Sequence, residues 1–508
     1  MTTFRSWLSR HSTRLWIAAA VFFAVVLPRL AALGDFPWLD DGYHAFIAQY
    51  IQHSYALGRG FPSDITGFKL FESLFFWVWQ LPGNALAWLR LADLCAAAIA
   101  GWLFCRLMLA ESGNRLFGLL LAFGGLCGLN LPGAIQSGFK HSFFPAFACL
   151  FGALALARRD TDGAWLAAGG LTALGVLFRE TFFPFALLGL VSLLVKRKFK
   201  AFWRYALGGA LGGLTVTALV ALMRGQIASI FEFYFKYGRI YGPEEGRRWQ
   251  KFVENGSRAL ALFSPLLAVF GVALAGGRVA AGRGRLCFWL ACAILPLAEP
   301  LLKIGFLYHF TVSLPGICGF CACVFHNLRP GKLRRAELGL TACAALCMFC
   351  LLAPQFAKTP ISLQTLANWP AQGWPSALAA QSTTLAAARA AAGLAPQGSA
   401  SSTGFAYFIF PSSQMLPPEA GLGDLSRAWI YSGYDAAKFR AMLDRNPPDV
   451  VLIAHTDEDH SAIFARELTA IFASHPDYRL KTVIPAEPAK NYGWLGYSIY
   501  RREPRSGN

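Results

Sequence analysis

The chain has 508 residues, of which 55% are hydrophobic and 15% charged, with 46 Lys and Arg against 28 Asp and Glu. Soluble domains are about 45–50% apolar and about 25% charged, so this composition excludes an ordinary soluble protein. The net charge of +18 is not a nucleic-acid footprint: its Lys and Arg stand in short clusters between apolar runs, as the positive-inside bias predicts for a membrane protein.

Arg5, Arg10 and Arg14 precede a first apolar run, Leu15 to Leu33. Pro28 and Arg29 interrupt its end and further runs follow. It therefore reads as a retained helix with a cytoplasmic amino terminus rather than a cleaved signal peptide. An external loop, residues 34–87, comes next and contains Leu39-Asp40-Asp41-Gly42-Tyr43-His44. Its segments 42–57 and 70–81 mix aromatic and polar residues, the pattern of helices lying in the membrane interface.

Further apolar runs have roughly the length that crosses a bilayer, about 16–22 residues. They are Trp88 to Leu109, Leu116 to Leu131, Phe143 to Ala157, Ala164 to Phe178, Phe182 to Val195 and Tyr205 to Met223. After a second external loop, 224–258, come Ala259 to Ala275, Leu286 to Leu302, Tyr308 to Phe325 and Leu338 to Leu352. With alternating direction, the basic clusters at Arg158-Arg159, Lys196–Lys200, Arg278–Arg285 and Arg329–Arg335 all fall inside, while carboxylates concentrate outside. The expectation is a polytopic α-helical membrane domain of about eleven spans over residues 1–354.

Residues 355–508 read as an external soluble domain of roughly 150 residues, a common domain size. All 12 cysteines precede it, without the paired spacing of a zinc or disulfide framework. A helix-like stretch at 375–392 leads to strand-like runs at 404–410, 428–431, 449–454, 478–484 and 497–501. Helix-like runs at 436–444 and 461–473 separate some of them, which predicts a small α/β domain. It carries no Gly-rich phosphate loop and no nucleophile signature.

Asp40 and Asp41 are the strongest chemical signal. Adjacent carboxylates repel, so at least one needs a cation, a metal or a proton. One of them can cap the helix that starts near Gly42. The functional alternative is a general base acting on an acceptor hydroxyl or amine, with its neighbour orienting it or binding a cation. Isolated cations at the outer ends of spans come next: Lys69, Lys140, His141, Arg179, Lys303 and His309. Charge at membrane depth is costly and faces a protein cavity or a partner, so such a group can neutralise a phosphate or simply pair locally, Arg179 with Glu180 and Lys303 with Glu299. Arg239 and its tyrosine-rich loop add to this set. A divalent metal is possible at Asp40, Asp41, Glu72, His44 and His309, but no spacing enforces one.

The order of basic terminus, first span, Leu39-Asp40-Asp41-Gly42-Tyr43-His44-Ala45, amphipathic helices, Gly67-Phe68-Lys69 and Leu89-Arg90-Leu91 resembles the GT-C membrane glycosyltransferases. The branch resembled is that of protein O-mannosyltransferases and bacterial lipid A aminoarabinose transferases. Leu307-Tyr308-His309-Phe310 before Leu314-Pro315, Pro447-Pro448-Asp449-Val450-Val451 and Tyr497–Arg502 resemble later segments of the same branch. The resemblance implies that Asp40 is the catalytic acidic residue, that Asp41 is its acidic neighbour, and that Lys69 stands where the branch has a lysine before Pro-Pro-Leu. Here Leu70-Phe71 replaces those prolines, and residues 131–143 lack the branch's second acidic group. The implied activity is inverting transfer from a polyprenyl-phosphate-linked sugar to a periplasmic glycan, lipid or protein at a bacterial inner membrane. Lys69, Arg179, Arg239, Tyr308 and His309 would hold the donor phosphate, and His44, Glu72, Lys140, His141 and Lys303 would line the pocket. A lipid-linked glycan flippase and a non-catalytic envelope-assembly protein remain as alternatives.

Overall fold

The structure is a computed structural model that describes residues 2–34, 39–56, 70–81, 85–131, 142–224, 245–276, 283–302, 307–328, 330–372, 383–396, 398–403, 406, 408–410, 415–418, 422–456, 459–489 and 493–503. The N-terminal helix α1 (Thr2–Val21) passes through a π-turn (Phe22–Val26) into α2 (Leu27–Ala32). Then follow α3 (Leu39–Ala56), α4 (Leu70–Phe75), α5 (Ala85–Ser112), α6 (Arg115–Leu129), α7 (Phe143–Ala157), α8 (Asp162–Phe178), α9 (Phe183–Val195) and α10 (Phe199–Arg224). The second half of the bundle contains α11 (Glu245–Leu262), α12 (Ser264–Gly276), α13 (Arg283–Ile294), α14 (Ala298–Leu302), α15 (Leu307–Thr311), α16 (Leu314–Asn327) and α17 (Lys332–Leu352).

This is a multi-pass membrane protein. Among the described residues, six helices are long and apolar enough to cross a membrane, or seven if the bent pair α11–α12 is one span. Four shorter apolar helices, spanning 115–129, 143–157, 162–178 and 180–195, pack with them. Helices form here because such runs satisfy every backbone group internally where water is absent.

Three breaks were not expected. The run at 286–302 passes through a 3-10 turn at Leu295–Leu297, and that at 308–325 divides between α15 and α16; Pro296 and Pro315 stand at these positions and withhold an N–H. Residues 245–262, expected as loop and span start, form one amphipathic helix that meets α12 at 83°. Its Phe252 ring lies 5.5 Å from Phe310 on α15.

Helices α8 and α10 approach most closely through glycine. A Cβ at Gly169 would overlap the carbonyl oxygen of Tyr205, and one at Gly208 would overlap that of Leu166. Small residues let membrane helices exchange backbone contacts where no hydrophobic force drives association.

Beyond α17 the chain continues through a 3-10 stretch (Ala353–Lys358) into α18 (Thr359–Gln372), whose Ser362 hydroxyl accepts from the Gly34 N–H at 2.7 Å. It then forms α19 (Thr383–Leu394), β1 (Ala400–Ser402), α20 (Leu425–Tyr431), α21 (Ala436–Arg445), β2 (Val450–Thr456), α22 (Asp459–Ser474), β3 (Tyr478–Ala489) and β4 (Gly493–Arg502). The sheet order is β1-β2-β4-β3, with β1 and β2 parallel and the other pairs antiparallel. Alternation divides its side chains. Val451, Ile453 and Tyr500 face a core with Phe439 and Phe472, while Val450, Leu452, Tyr497 and Ile499 face a core with α19.

Two expected strands are corrected. Residues 428–431 are helical, because Leu425, Ala428 and Trp429 bury one helical face and the Asp424 side chain accepts from the Ser426 N–H at 3.0 Å. The described residues of 404–410 form no strand, and the edge strand is 400–402 instead.

Helix α3 is a further correction. Expected at the membrane interface, it is buried at every position from Asp41 to Ile51. Tyr43, Phe46, Ile47, Tyr50 and Ile51, one helical stripe, join the core of the sheet, with the Phe46 and Phe410 rings 4.3 Å apart. Ala48 packs instead with Phe71, Val78 and Leu89 of the bundle. The helix is a wedge between sheet and bundle.

Candidate functional site

Helix α3 begins with Leu39, so Asp40 and Asp41 lie in its first turn, where a carboxylate meets the positive end of the helix dipole. The Asp40 side chain lies outside the described residues. The Asp41 carboxylate is fully buried and held by Arg90, whose Nη2 forms an ion pair with it and whose Nε donates to Oδ2 at 3.2 Å. Arg90 Nη1 donates in turn to the Leu33 carbonyl at 2.8 Å. Arg90 thereby joins the end of the first span, the start of α3 and the start of α5.

One turn along α5, Asp93 forms a buried ion pair with Arg29 of α2. Arg29 Nε also donates to the Asn130 amide oxygen at 3.2 Å, and its guanidinium lies 4.2 Å from the centre of the Phe144 ring. A charge buried at membrane depth survives only with partners of this kind. His44 of α3 pairs with Glu72 of α4, both buried.

A second group lies where α8, α14 and α15 meet. Arg179 caps α8 in extended backbone. Its guanidinium lies 5.5 Å from the Phe143 ring centre and 5.2 Å from that of Tyr308, and Nη1 donates to Ser142 Oγ at 3.4 Å. The Tyr308 side chain is hydrogen-bonded to Arg179, which also lies in the field of Glu299 and Glu180. The Tyr308 and His309 rings meet edge-on at 4.2 Å, and His309 Nε2 approaches Glu299 Oε1 to 3.8 Å. Glu299, which the sequence suggested for Lys303, thus stands beside His309.

The two groups connect through aromatic rings. Phe144 carries Arg29, Phe143 carries Arg179, and the two rings meet edge-on at 5.8 Å. Phe178, next to Arg179, packs against the cluster of Ala48, Phe71 and Leu89 that anchors α3 and α4.

Of the expected site residues, the structure brings Arg179, Tyr308 and His309 together, pairs His44 with Glu72, and binds Asp41 to Arg90. Lys69, Lys140, His141, Arg239 and Lys303 lie outside the described residues. Among the described residues, no group of three or more His, Cys, Asp or Glu is placed to hold a metal ion. Arg29, Asp93 and Asn130 escaped sequence reasoning, although ionisable residues inside apolar runs were a usable signal.

No protein-family model matches the sequence, and no curated protein matches it significantly. Solved structures do match. ArnT from Cupriavidus metallidurans bound to undecaprenyl phosphate aligns with a TM-score of 0.53 and 13% identity, over 96% of this chain and 97% of that one. The chain shares the fold of that ArnT structure. The apo state of the same ArnT aligns at a TM-score of 0.50 and 13% identity, over 97% of this chain and 98% of that one. The arabinosyltransferase EmbB from Mycobacterium smegmatis aligns at 0.43 and 14% identity, over 70% of this chain and 41% of that one. The alignment with ArnT runs through both the helical bundle and the sheet, so the likeness of fold extends to nearly the whole chain.

Proposed function

We propose that this chain is an inverting glycosyltransferase that takes a sugar from a polyprenyl-phosphate donor within the bilayer. About eleven spans would make up residues 1–354, with the amino terminus cytoplasmic, and residues 355–508 would form a periplasmic domain at a bacterial inner membrane. The acceptor would be a periplasmic glycan, lipid or protein.

In this reading the acceptor hydroxyl attacks the anomeric carbon, and Asp40 takes its proton as the new C–O bond forms. The bond from that carbon to the lipid phosphate oxygen breaks, and the oxygen leaves with its electron pair. Arg179, Tyr308 and His309 receive the growing negative charge, with Lys69 and Arg239 as further candidates, since fixed donors act most where charge develops. Asp41, already neutralised by Arg90, holds the start of α3 in place and leaves its neighbour as the proton acceptor.

The observation that carries the proposal is the grouping of Arg179, Tyr308 and His309 in a GT-C fold. The test is transfer of labelled sugar from a synthetic polyprenyl-phosphate donor by purified protein in detergent. A glycosidic bond formed without two compartments separates an enzyme from a flippase. Full turnover by Asp40→Asn overturns the assignment of the base.

A further inference from the structure

The described cavity with the most lining groups does not lie beside the acidic pair. It has a volume of about 560 Å³ and lies where α5, α7 and α9 end and α13 begins. Arg90 and Glu111 are both on α5, and the helical rise separates them by about 30 Å, a full hydrocarbon thickness. Glu111 lines the cavity, so the cavity belongs to the membrane face opposite Asp41.

Its mouth carries four cations, Arg158, Lys196, Lys198 and Arg285. Two are answered. Arg158 pairs with Glu111, which also accepts from the Cys323 thiol at 3.2 Å, and Lys198 lies 2.5 Å from Asp160. Lys196 and Arg285 have no carboxylate partner among the described residues, and both are exposed. The mouth therefore keeps two surplus positive charges.

The shaft is mainly apolar. Along α9 it is lined by Phe185, Gly189, Ser192, Leu193 and Lys196, a stripe on one helical face. From Phe185 to Lys196 that stripe rises about 16 Å, close to the depth of one bilayer leaflet. The far wall includes Trp289 and Gly316.

A cationic rim at the headgroup level over an apolar shaft one leaflet deep matches one kind of occupant. We propose that this cavity binds an anionic phospholipid of the leaflet opposite the acidic pair, with its phosphodiester at Lys196 and Arg285 and part of one acyl chain along α9. Basic pockets between membrane helices recognise lipid phosphate in this way. The site is separate from the proposed donor site and does not depend on the transferase reading.

The test is native mass spectrometry of the full chain in detergent, titrated with dioleoyl phosphatidylglycerol or dioleoyl phosphatidylcholine. The expected result is a discrete one-to-one phosphatidylglycerol adduct that the neutral-headgroup lipid does not reproduce at equal concentration. Lys196→Gln with Arg285→Gln removes two exposed charges without touching the packing, and should weaken that adduct about 10- to 30-fold. Ser192→Phe fills the shaft beneath an intact rim and should abolish it. Equal binding of both lipids, an unchanged adduct in either variant, or displacement by millimolar inorganic phosphate would each overturn the proposal, the last by showing a site for a soluble anion.

Discussion

Arg90 and Asp93 stand one turn apart on α5, and each neutralises a buried group of opposite sign from another segment: Arg90 holds Asp41, and Asp93 holds Arg29. Residues three apart share a helix face. One short stretch of α5 therefore ties the first span and the acidic helix α3 to the bundle.

That arrangement sets a stability prediction. Arg90→Met removes the guanidinium that faces a fully buried Asp41 carboxylate. Losing one partner of a buried pair costs about 3–5 kcal/mol, mostly from the charge left behind. The variant should unfold at clearly lower temperature in detergent, and adding Asp41→Asn should restore part of the loss. An unshifted transition would show that Arg90 does not carry this load.

Arg179 is predicted to be intolerant of its nearest chemical substitute. Lysine keeps the charge but not the planar group that lies against Phe143 and Tyr308. Removing one donor to a developing anion costs roughly 100- to 1,000-fold in rate. Under the proposed reaction, Arg179→Ala should reach that range, while Arg179→Lys should lose about 10- to 100-fold. Initial rates with the synthetic lipid-phosphate donor measure both.

The α8–α10 crossing gives a matched pair of glycine substitutions. Gly208→Val puts a side chain into the Leu166 backbone and should destabilise by at least the ~1–3 kcal/mol typical of overpacking. Gly163, in the first turn of α8, has nothing within 4 Å of the position a Cβ would take. Gly163→Ala should be neutral or slightly stabilising, because alanine restricts the unfolded chain. Thermal unfolding of the two variants against the parent checks the contrast.

His455 should make the sheet acid-sensitive. Burial holds its pKa below the ordinary 6.5, and its Nε2 meets Ser498 Oγ at 2.7 Å. Below pH 6.5 the unfolded chain binds this proton more readily than the folded one. The stability tied to the neutral ring is therefore complete above that pH and declines as pH falls toward the depressed folded value. Between pH 7 and 5, His455→Asn should lose less thermal stability than the parent.

Much of this architecture could be read from the residues. The apolar runs gave helix bounds within a few positions, as at 143–157 and 164–178, because length and hydropathy reinforce each other there. Helix α11 escaped notice since its charged face masks the apolar stripe that runs from Phe252 through Ala259 to Leu262. Residues 428–431 look like a strand in isolation, and only the spacing from Leu425 shows the helix. At the candidate site, Arg179 and His309 stood out as lone charges at the ends of apolar runs. Their assembly with Glu299, and the pairing of Arg29 with Asp93, depend on which helices lie side by side. A single sequence without that neighbourhood does not specify it.

The cover of α3 comes from segments hundreds of positions downstream: Phe408 to Phe410, then Leu495 and Tyr497. At about 5–20 residues per second, a ribosome needs roughly 20–90 s to travel from one to the other. Throughout that interval the stripe from Tyr43 to Ile51 waits for its lid. Translation itself thus leaves the sheet-facing stripe of α3 uncovered until β4 is made, with the helix held only on its bundle side, through Arg90 and Ala48.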